Sequence, residues 1–147
     1  MNFDIRVKKL DERAKLPTYG SEYAAGADLY ALIDGEVTIG SGETAFIRTG
    51  VAVELPLGTV GLIYARSGMA CKKGLAPANK VGVVDCDYRG EVMVALHNHS
   101  SEPKTVADGE RIAQFMIAPY YTATFTESDE LSDTVRVAVG FCSTGVG

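Results

Sequence analysis

Apolar and polar residues alternate in short stretches along this chain, and no stretch sustains a helical period. Phe3, Ile5 and Val7 alternate with Asp4, Arg6 and Lys8, which predicts a half-buried strand. Val37 and Ile39 continue the pattern, and further strands are expected at residues 46–49, 51–55, 59–65, 81–84, 91–96 and 112–117. Glycines and the breaks at Pro17, Pro56, Pro77, Pro103 and Pro119 separate these runs. Short strands with turns spaced roughly 8–12 residues apart predict a sandwich or a barrel. The expected fold is all-β, a jelly-roll-like β-sandwich or barrel with one short helix.

That helix is expected between Ser67 and Gly74. Serine suits an N-cap, Lys72 and Lys73 suit a last turn, and Gly74 suits the left-handed residue beyond it. Its start joins free backbone N–H groups, the Ser67 hydroxyl and the Arg66 guanidinium, a combination that binds phosphate. Taken alone, the same residues also describe an ordinary capped helix beside a surface arginine.

Residues 81–94 predict a β-hairpin with an acidic turn, in which Asp85 ends one strand and Gly90 leads into the next. Aspartate and glycine favour turns in any protein. The functional alternative is a carboxylate at the mouth of the hairpin, with Tyr88 offering a flat face to a ligand ring. His97 and His99 share a strand face and could bind one metal with Glu102, loosely similar to the cupin pattern. The cupin spacing is missed by one residue at each gap, and the third histidine has no counterpart, since the chain has only two.

Composition narrows the partners. The 147 residues suffice for one domain with a real core, and 46% hydrophobic content excludes a disordered class. Fourteen basic against nineteen acidic residues give a net charge of −5, the wrong sign for general nucleic-acid binding. An anionic ligand must therefore be met by local donors. The uncharged stretch 112–126, interrupted by Gln114 and Pro119, falls short of the roughly 20 apolar residues of a membrane span. No apolar signal core follows Met1, and three cysteines (Cys71, Cys86, Cys142) form no Cys-x-x-Cys pair. A cytoplasmic protein with neither membrane nor nucleic-acid partners is expected.

The C-terminal end differs in kind. Residues 127–134 hold four acids and no base, then a segment running to Gly147 carries Arg136, Phe141, Ser143 and Thr144 among glycines. Residues 1–134 are expected as the β core and 135–147 as a flexible arm. The 21 residues from Glu127 onward can span up to roughly 70 Å, enough to reach another subunit.

Five segments in order resemble the motifs of the trimeric deoxyuridine triphosphate nucleotidohydrolases (dUTPases). They are Ala25-Gly26-Ala27-Asp28-Leu29, Ala65-Arg66-Ser67-Gly68-Met69-Ala70, and Gly82-Val83-Val84-Asp85-Cys86-Asp87-Tyr88-Arg89-Gly90. Gly109-Glu110-Arg111-Ile112-Ala113-Gln114 is similar to the fourth, and Arg136 with Gly140-Phe141-Cys142-Ser143-Thr144-Gly145 to the fifth. The resemblance covers essentially the whole chain. It implies hydrolysis of dUTP to dUMP and pyrophosphate, supplying dUMP and limiting uracil incorporation into DNA. It also implies Mg²⁺ on the triphosphate and a homotrimer whose active sites draw on more than one subunit.

By the same resemblance Asp85 activates the attacking water, and Tyr88 lies under the deoxyribose. Asn79 and the backbone near Val83, Val84 and Met93 pair with the uracil edge. Arg66, Ser67 and Gly68 hold phosphate oxygens, and Gln114 assists from a neighbouring subunit. Asp28 holds water on the Mg²⁺ without ligating it. Phe141 stacks on uracil, and Arg136 meets the terminal phosphates when the arm closes. Ala65 stands where the family usually has proline, and Val137, Val139 and Cys142 where it usually has glycine. A deaminase of dCTP and a non-catalytic nucleotide-binding module share the architecture; the tyrosine-bearing third motif looks like the hydrolase's.

Overall fold

A computed structural model describes residues 4–134. The strands in chain order are β1 (Arg6–Lys9), β2 (Thr18–Tyr19), β3 (Ala27–Tyr30), β4 (Glu36–Ile39), β5 (Thr44–Arg48) and β6 (Val51–Glu54). They continue with β7 (Thr59–Tyr64), β8 (Leu75–Pro77), β9 (Gly82–Val84), β10 (Met93–Asn98), β11 (Lys104–Ala107) and β12 (Arg111–Pro119). A short helix, Gly68–Lys73, separates β7 from β8.

The pairing is nested. β3 pairs with β12, β4 with β11 and β5 with β10, all antiparallel, so the chain runs out and returns alongside itself. Such a long ribbon, rolled up, is a jelly roll. One sheet has the order β2-β3-β12-β7-β9, and β5-β10-β8 forms another. Between them Leu29, Ile39, Ile47, Val51, Leu75, Val94, Leu96, Val106 and Ile112 are buried almost completely. Alternation places them there: β10 reads exposed–buried along its length, with Val94, Leu96 and Asn98 inward. Asn98 sits in this core without cost, since its amide donates to Ile39 O and Glu102 O and its carbonyl accepts from Ser100.

The all-β expectation holds, and three local expectations are corrected. Residues 81–94 do not form a hairpin. β9 pairs with β7, whereas β10 pairs with β5 and β8, so the intervening residues cross from one sheet to another. Periodicity identifies a strand but not its partner, and the Val92 N–H, donating to Val51 O at 2.8 Å, draws the chain toward β6. Ser67 does not cap its helix: it is itself helical (φ −55°, ψ −42°) and makes no side-chain cap. The helix is a wide π-type turn, closed as expected by left-handed Gly74, whose N–H reaches Met69 O. The first strand starts at Arg6, later than the alternation from Phe3 suggested. Among the described residues no helix is long and apolar enough to cross a membrane.

Candidate functional site

The crossover between β9 and β10 borders a cavity of about 300 Å³. Six of the expected residues line it: Asn79, Val83, Val84, Asp85, Tyr88 and Met93. Val84 packs inward while Val83 is exposed, which leaves the β9 edge open to a ligand. Asn79 is presented by a tight turn in which Lys80 adopts φ 65°, the only left-handed non-glycine among the described residues. Lys80 N–H donates to Pro77 O and Val81 N–H to Asn79 O, fixing that turn.

Asp85 opens the crossover. Its carbonyl accepts from the Tyr88 N–H at 3.1 Å, closing a turn, and its side chain is exposed toward the cavity. Among the described residues no donor engages its carboxylate, so its lone pairs are available to a water. Tyr88 folds back along the crossover and donates its hydroxyl hydrogen bond to Glu91 O at 2.9 Å. Its ring lies against Gly90, where a Cβ would fall 2.4 Å from the Tyr88 Oη. Just beyond Asp85, Cys86 Sγ meets Tyr120 Oη at 3.8 Å. That contact, ahead of burial and the charges of Asp85 and Asp87, pushes the Tyr120 phenol above its ordinary value.

Arg66, Asp28 and Gln114 form a second cluster. Arg66 Nε donates to Asp28 Oδ1 at 2.6 Å, and the Arg111 guanidinium reaches Oδ2 at 3.4 Å. Strand pairing sets this up, since Gln114 sits opposite both Asp28 on β3 and Tyr64 on β7. Gln114 donates to Ala65 O at 2.8 Å, which pins the chain immediately before Arg66. A Cβ at Gly26 would fall 2.5 Å from Gln114 Oε1, so a larger residue there would push that side chain aside. Ser67 and Gly68 are exposed, and nothing lies within 4 Å of where a Gly68 Cβ would stand.

The two clusters occupy opposite ends of β7. Val84 pairs with Gly61 near the start of that strand, and Arg66 follows its last residue, Tyr64. At about 3.3 Å per residue, Asp85 and Arg66 stand roughly 15–20 Å apart along the strand. Within one chain the strand thus holds the two clusters apart.

The donor chemistry bears on a metal. Among the described residues no group of three or more His, Cys, Asp and Glu side chains converges. Asp28 already faces two guanidinium groups, leaving room for a contact through water and not for a ligand cage. This fits a magnesium ion that keeps several waters and is carried mainly by phosphates. The histidine alternative is corrected: His97 Nδ1 bonds Thr44 Oγ1 at 3.0 Å, and His99 Nε2 bonds Ala70 O at 3.2 Å. Each ring is engaged by a different element, and a carbonyl acceptor requires His99 Nε2 to carry its proton.

Sequence reasoning missed three contributors. Phe46 and Glu91 line the cavity, and Arg111 clasps Asp28. Phe46, 73% exposed on β5, is a large aromatic on the polar phase of its strand, a signal that could have found it. A hollow of about 360 Å³ over β1 and β6 is lined by Arg6, Glu54 and Arg89 and holds none of the expected residues. Arg136 and Phe141, with Val137, Val139 and Cys142, lie outside the described residues.

Residues 12–145 match the family described as dUTPase. The chain is 51% identical over 147 residues to a deoxyuridine 5′-triphosphate nucleotidohydrolase of Desulfitobacterium hafniense, covering 97% of each. It is 43% identical to the enzyme of the same name from Syntrophotalea carbinolica, covering 96% of each. Among solved structures, a Staphylococcus bacteriophage 80alpha dUTPase with dUpNHpp superposes with a TM-score of 0.85 at 28% identity, covering 99% of this chain and 100% of that one. A dUTPase of phage phi11 of S. aureus, described with a structural Mg(II) ion, superposes with a TM-score of 0.76 at 25% identity, covering 87% and 98%.

Proposed function

The chain belongs to the dUTPase family, and on that premise we propose that it hydrolyses dUTP to dUMP and pyrophosphate at sites assembled between copies of itself. The observation that carries the reading is the cavity gathering Asn79, Val83, Val84, Tyr88 and Met93 beside an Asp85 carboxylate with free lone pairs. In this reading Asp85 accepts a proton from a water as its oxygen attacks the α-phosphorus. The bond from that phosphorus to the bridging oxygen breaks, and pyrophosphate leaves with the electron pair. Asn79 and the exposed β9 edge meet the uracil, and Tyr88 packs flat against the deoxyribose.

Arg66, Ser67 and Gly68 come to the phosphates from another copy, because 15–20 Å of β7, at about 3.3 Å per residue, keep them from the Asp85 of their own chain. Arg66 spends its Nε on Asp28 and keeps its terminal nitrogens for phosphate oxygens. Gln114 spends one amide N–H on Ala65 O and keeps the other for a phosphate oxygen of the substrate bound to a neighbouring copy. The homotrimer is part of the proposal, and residues 120–134 suit it: Tyr121 and Phe125 project from them almost fully exposed. Mg²⁺ would ride on the triphosphate, spread its negative charge and meet Asp28 through water. The arm, with Arg136 and Phe141, would close over the nucleotide. A cytoplasmic location completes the reading.

The test is pyrophosphate release from dUTP beside dTTP, dCTP and UTP, with Mg²⁺ present. Strong preference for dUTP is expected. Asp85→Asn should bind dUTP and lose about 10²–10⁴-fold in kcat, because the amide cannot take the proton. Near-normal turnover in that variant would remove Asp85 from the role, and ammonia release from dCTP would mark a deaminase instead.

A further inference from the structure

The crossover from Asp85 to Val92 has no ladder partner of its own, so side chains must hold it. Its far end is bound tightly. The Glu91 carboxylate accepts from the Gly50 N–H at 2.8 Å and from Arg48 Nε at 3.1 Å through both oxygens. Beyond it, the Thr49 hydroxyl donates to Val92 O at 2.5 Å, and the Val92 N–H donates to Val51 O. The receiving turn is itself rigid. Gly50 is left-handed at φ 71°, and a Cβ there would strike Leu32 at 2.4 Å and Ala14 at 2.8 Å.

The main chain of Glu91 in turn receives the Tyr88 hydroxyl. One residue thus grips the β5–β6 turn with its carboxylate and the aromatic ring with its carbonyl. We propose that Glu91 is a positioning residue that sets the sugar face of the site by holding the Tyr88 ring, and so governs discrimination between deoxyribo- and ribonucleotides. The proposal rests on the reading of Tyr88 as the platform for deoxyribose.

Charge matters to this role. The Glu91 side chain is only 18% exposed and meets a guanidinium and an N–H together, which a carboxylate satisfies fully and an amide in part. Glu91 does not act as a base, since both its oxygens are engaged. Asp85, at the opposite end of the crossover, is held by the separate turn bond to the Tyr88 N–H. Releasing Glu91 therefore moves the ring more than the carboxylate that takes the proton.

The readout is the ratio of kcat/KM for dUTP over UTP, which is independent of how much of a preparation is folded. Glu91→Ala should lower that ratio by about tenfold, the equivalent of one lost hydrogen bond to a charged group. Glu91→Gln, which keeps an acceptor for the Gly50 N–H, should fall between the two. Tyr88→Phe removes the hydroxyl and should lower the ratio in the same direction. Glu91→Ala combined with Tyr88→Phe should be no worse than the poorer single variant, because both act through one ring. An unchanged ratio in Glu91→Ala, or a fully additive double variant, would overturn the proposal. Should Glu91→Ala fail to fold, Glu91→Gln and Tyr88→Phe decide, since both leave the Gly50 bond in place. Equal use of UTP and dUTP by the unsubstituted protein would instead overturn the sugar-platform reading beneath it.

Discussion

Gly90→Ala separates the fold from the site more cleanly than any other single change. An alanine Cβ at this position would lie 2.4 Å from Tyr88 Oη, 2.6 Å from Cζ and 3.0 Å from Cε2. Ordinary carbon contacts begin near 3.5 Å, so the ring must withdraw by about 1 Å. Gly90 is not left-handed, so alanine fits the backbone without strain. The atoms struck belong to the end of one side chain, which can swing away without disturbing the core. Withdrawal breaks the 2.9 Å bond to Glu91 O, worth about 0.5–1.5 kcal/mol. Since Tyr88 is 45% exposed, water replaces much of that bond. Loss of glycine's freedom in the unfolded chain returns about 0.4–1 kcal/mol. The net change in stability is near zero, and the melting midpoint should move by less than about 4 °C.

Catalysis has no such compensation: a 1 Å misplacement of a positioning group costs up to about 10²-fold. We expect kcat/KM for dUTP to fall by about 10–100-fold, measured by pyrophosphate release, with the melting midpoint read alongside. Unchanged kcat/KM would mean the ring does not touch substrate. Collapse of the melting midpoint would mean the ring cannot yield and belongs to the packing instead.

Two further outcomes are expected. Asp28→Asn removes the charge shared by Arg66 and Arg111, and should cost about 1–3 kcal/mol of stability while raising KM for dUTP. An unchanged melting midpoint and KM would show that Arg66 is held by other means. Deleting residues 135–147 should leave a folded protein that hydrolyses dUTP poorly, as judged by circular dichroism and pyrophosphate release. Full activity after the deletion would refute the closing role of Arg136 and Phe141.

Alternation and short apolar runs revealed β1, β4 through β7, β9, β10 and β12, and the reading needs no knowledge of the partner strand. It missed β2, β3, β8 and β11 for local reasons; Ala27–Tyr30 carries a buried Asp28 in its middle, so it neither runs apolar nor alternates. Thr18–Tyr19 is exposed throughout, Leu75–Pro77 is three residues ending in proline, and Lys104–Ala107 buries only Val106. Pairing was beyond it, because β9 and β10 find partners distant in sequence. The site divides in the same way. Residues that one local motif brings to the same cavity, such as Asp85 and Tyr88, were legible as candidates. Glu91 and Arg111 join the candidate site only once β5 lies along β10 and β12 along β3, whereas Phe46 was signalled by an aromatic on the polar phase of its strand. Serine before a helix read as a cap for want of knowing that a wide turn begins there.

The rigidity of β7 supports the proposed division of the site between copies. That strand lies between β12 and β9, and a Cβ at Gly61 would meet the Phe115 ring at 2.4 Å. Only glycine lets the strand settle so closely on its neighbour, and the contact resists sliding. Asp85 is fixed to one end of β7 by the Val84–Gly61 pairing, and Arg66 to the other by Gln114 and Asp28. A hinge that brought them together would have to break the largest sheet of the molecule. The docking of a second copy proposed above would cost nothing of the kind, since each copy would keep its own sheet and supply the opposite end. In the proposed assembly, the groups assigned the chemistry are held on a strand too rigid to bend, and their meeting is left to the docking of a second copy.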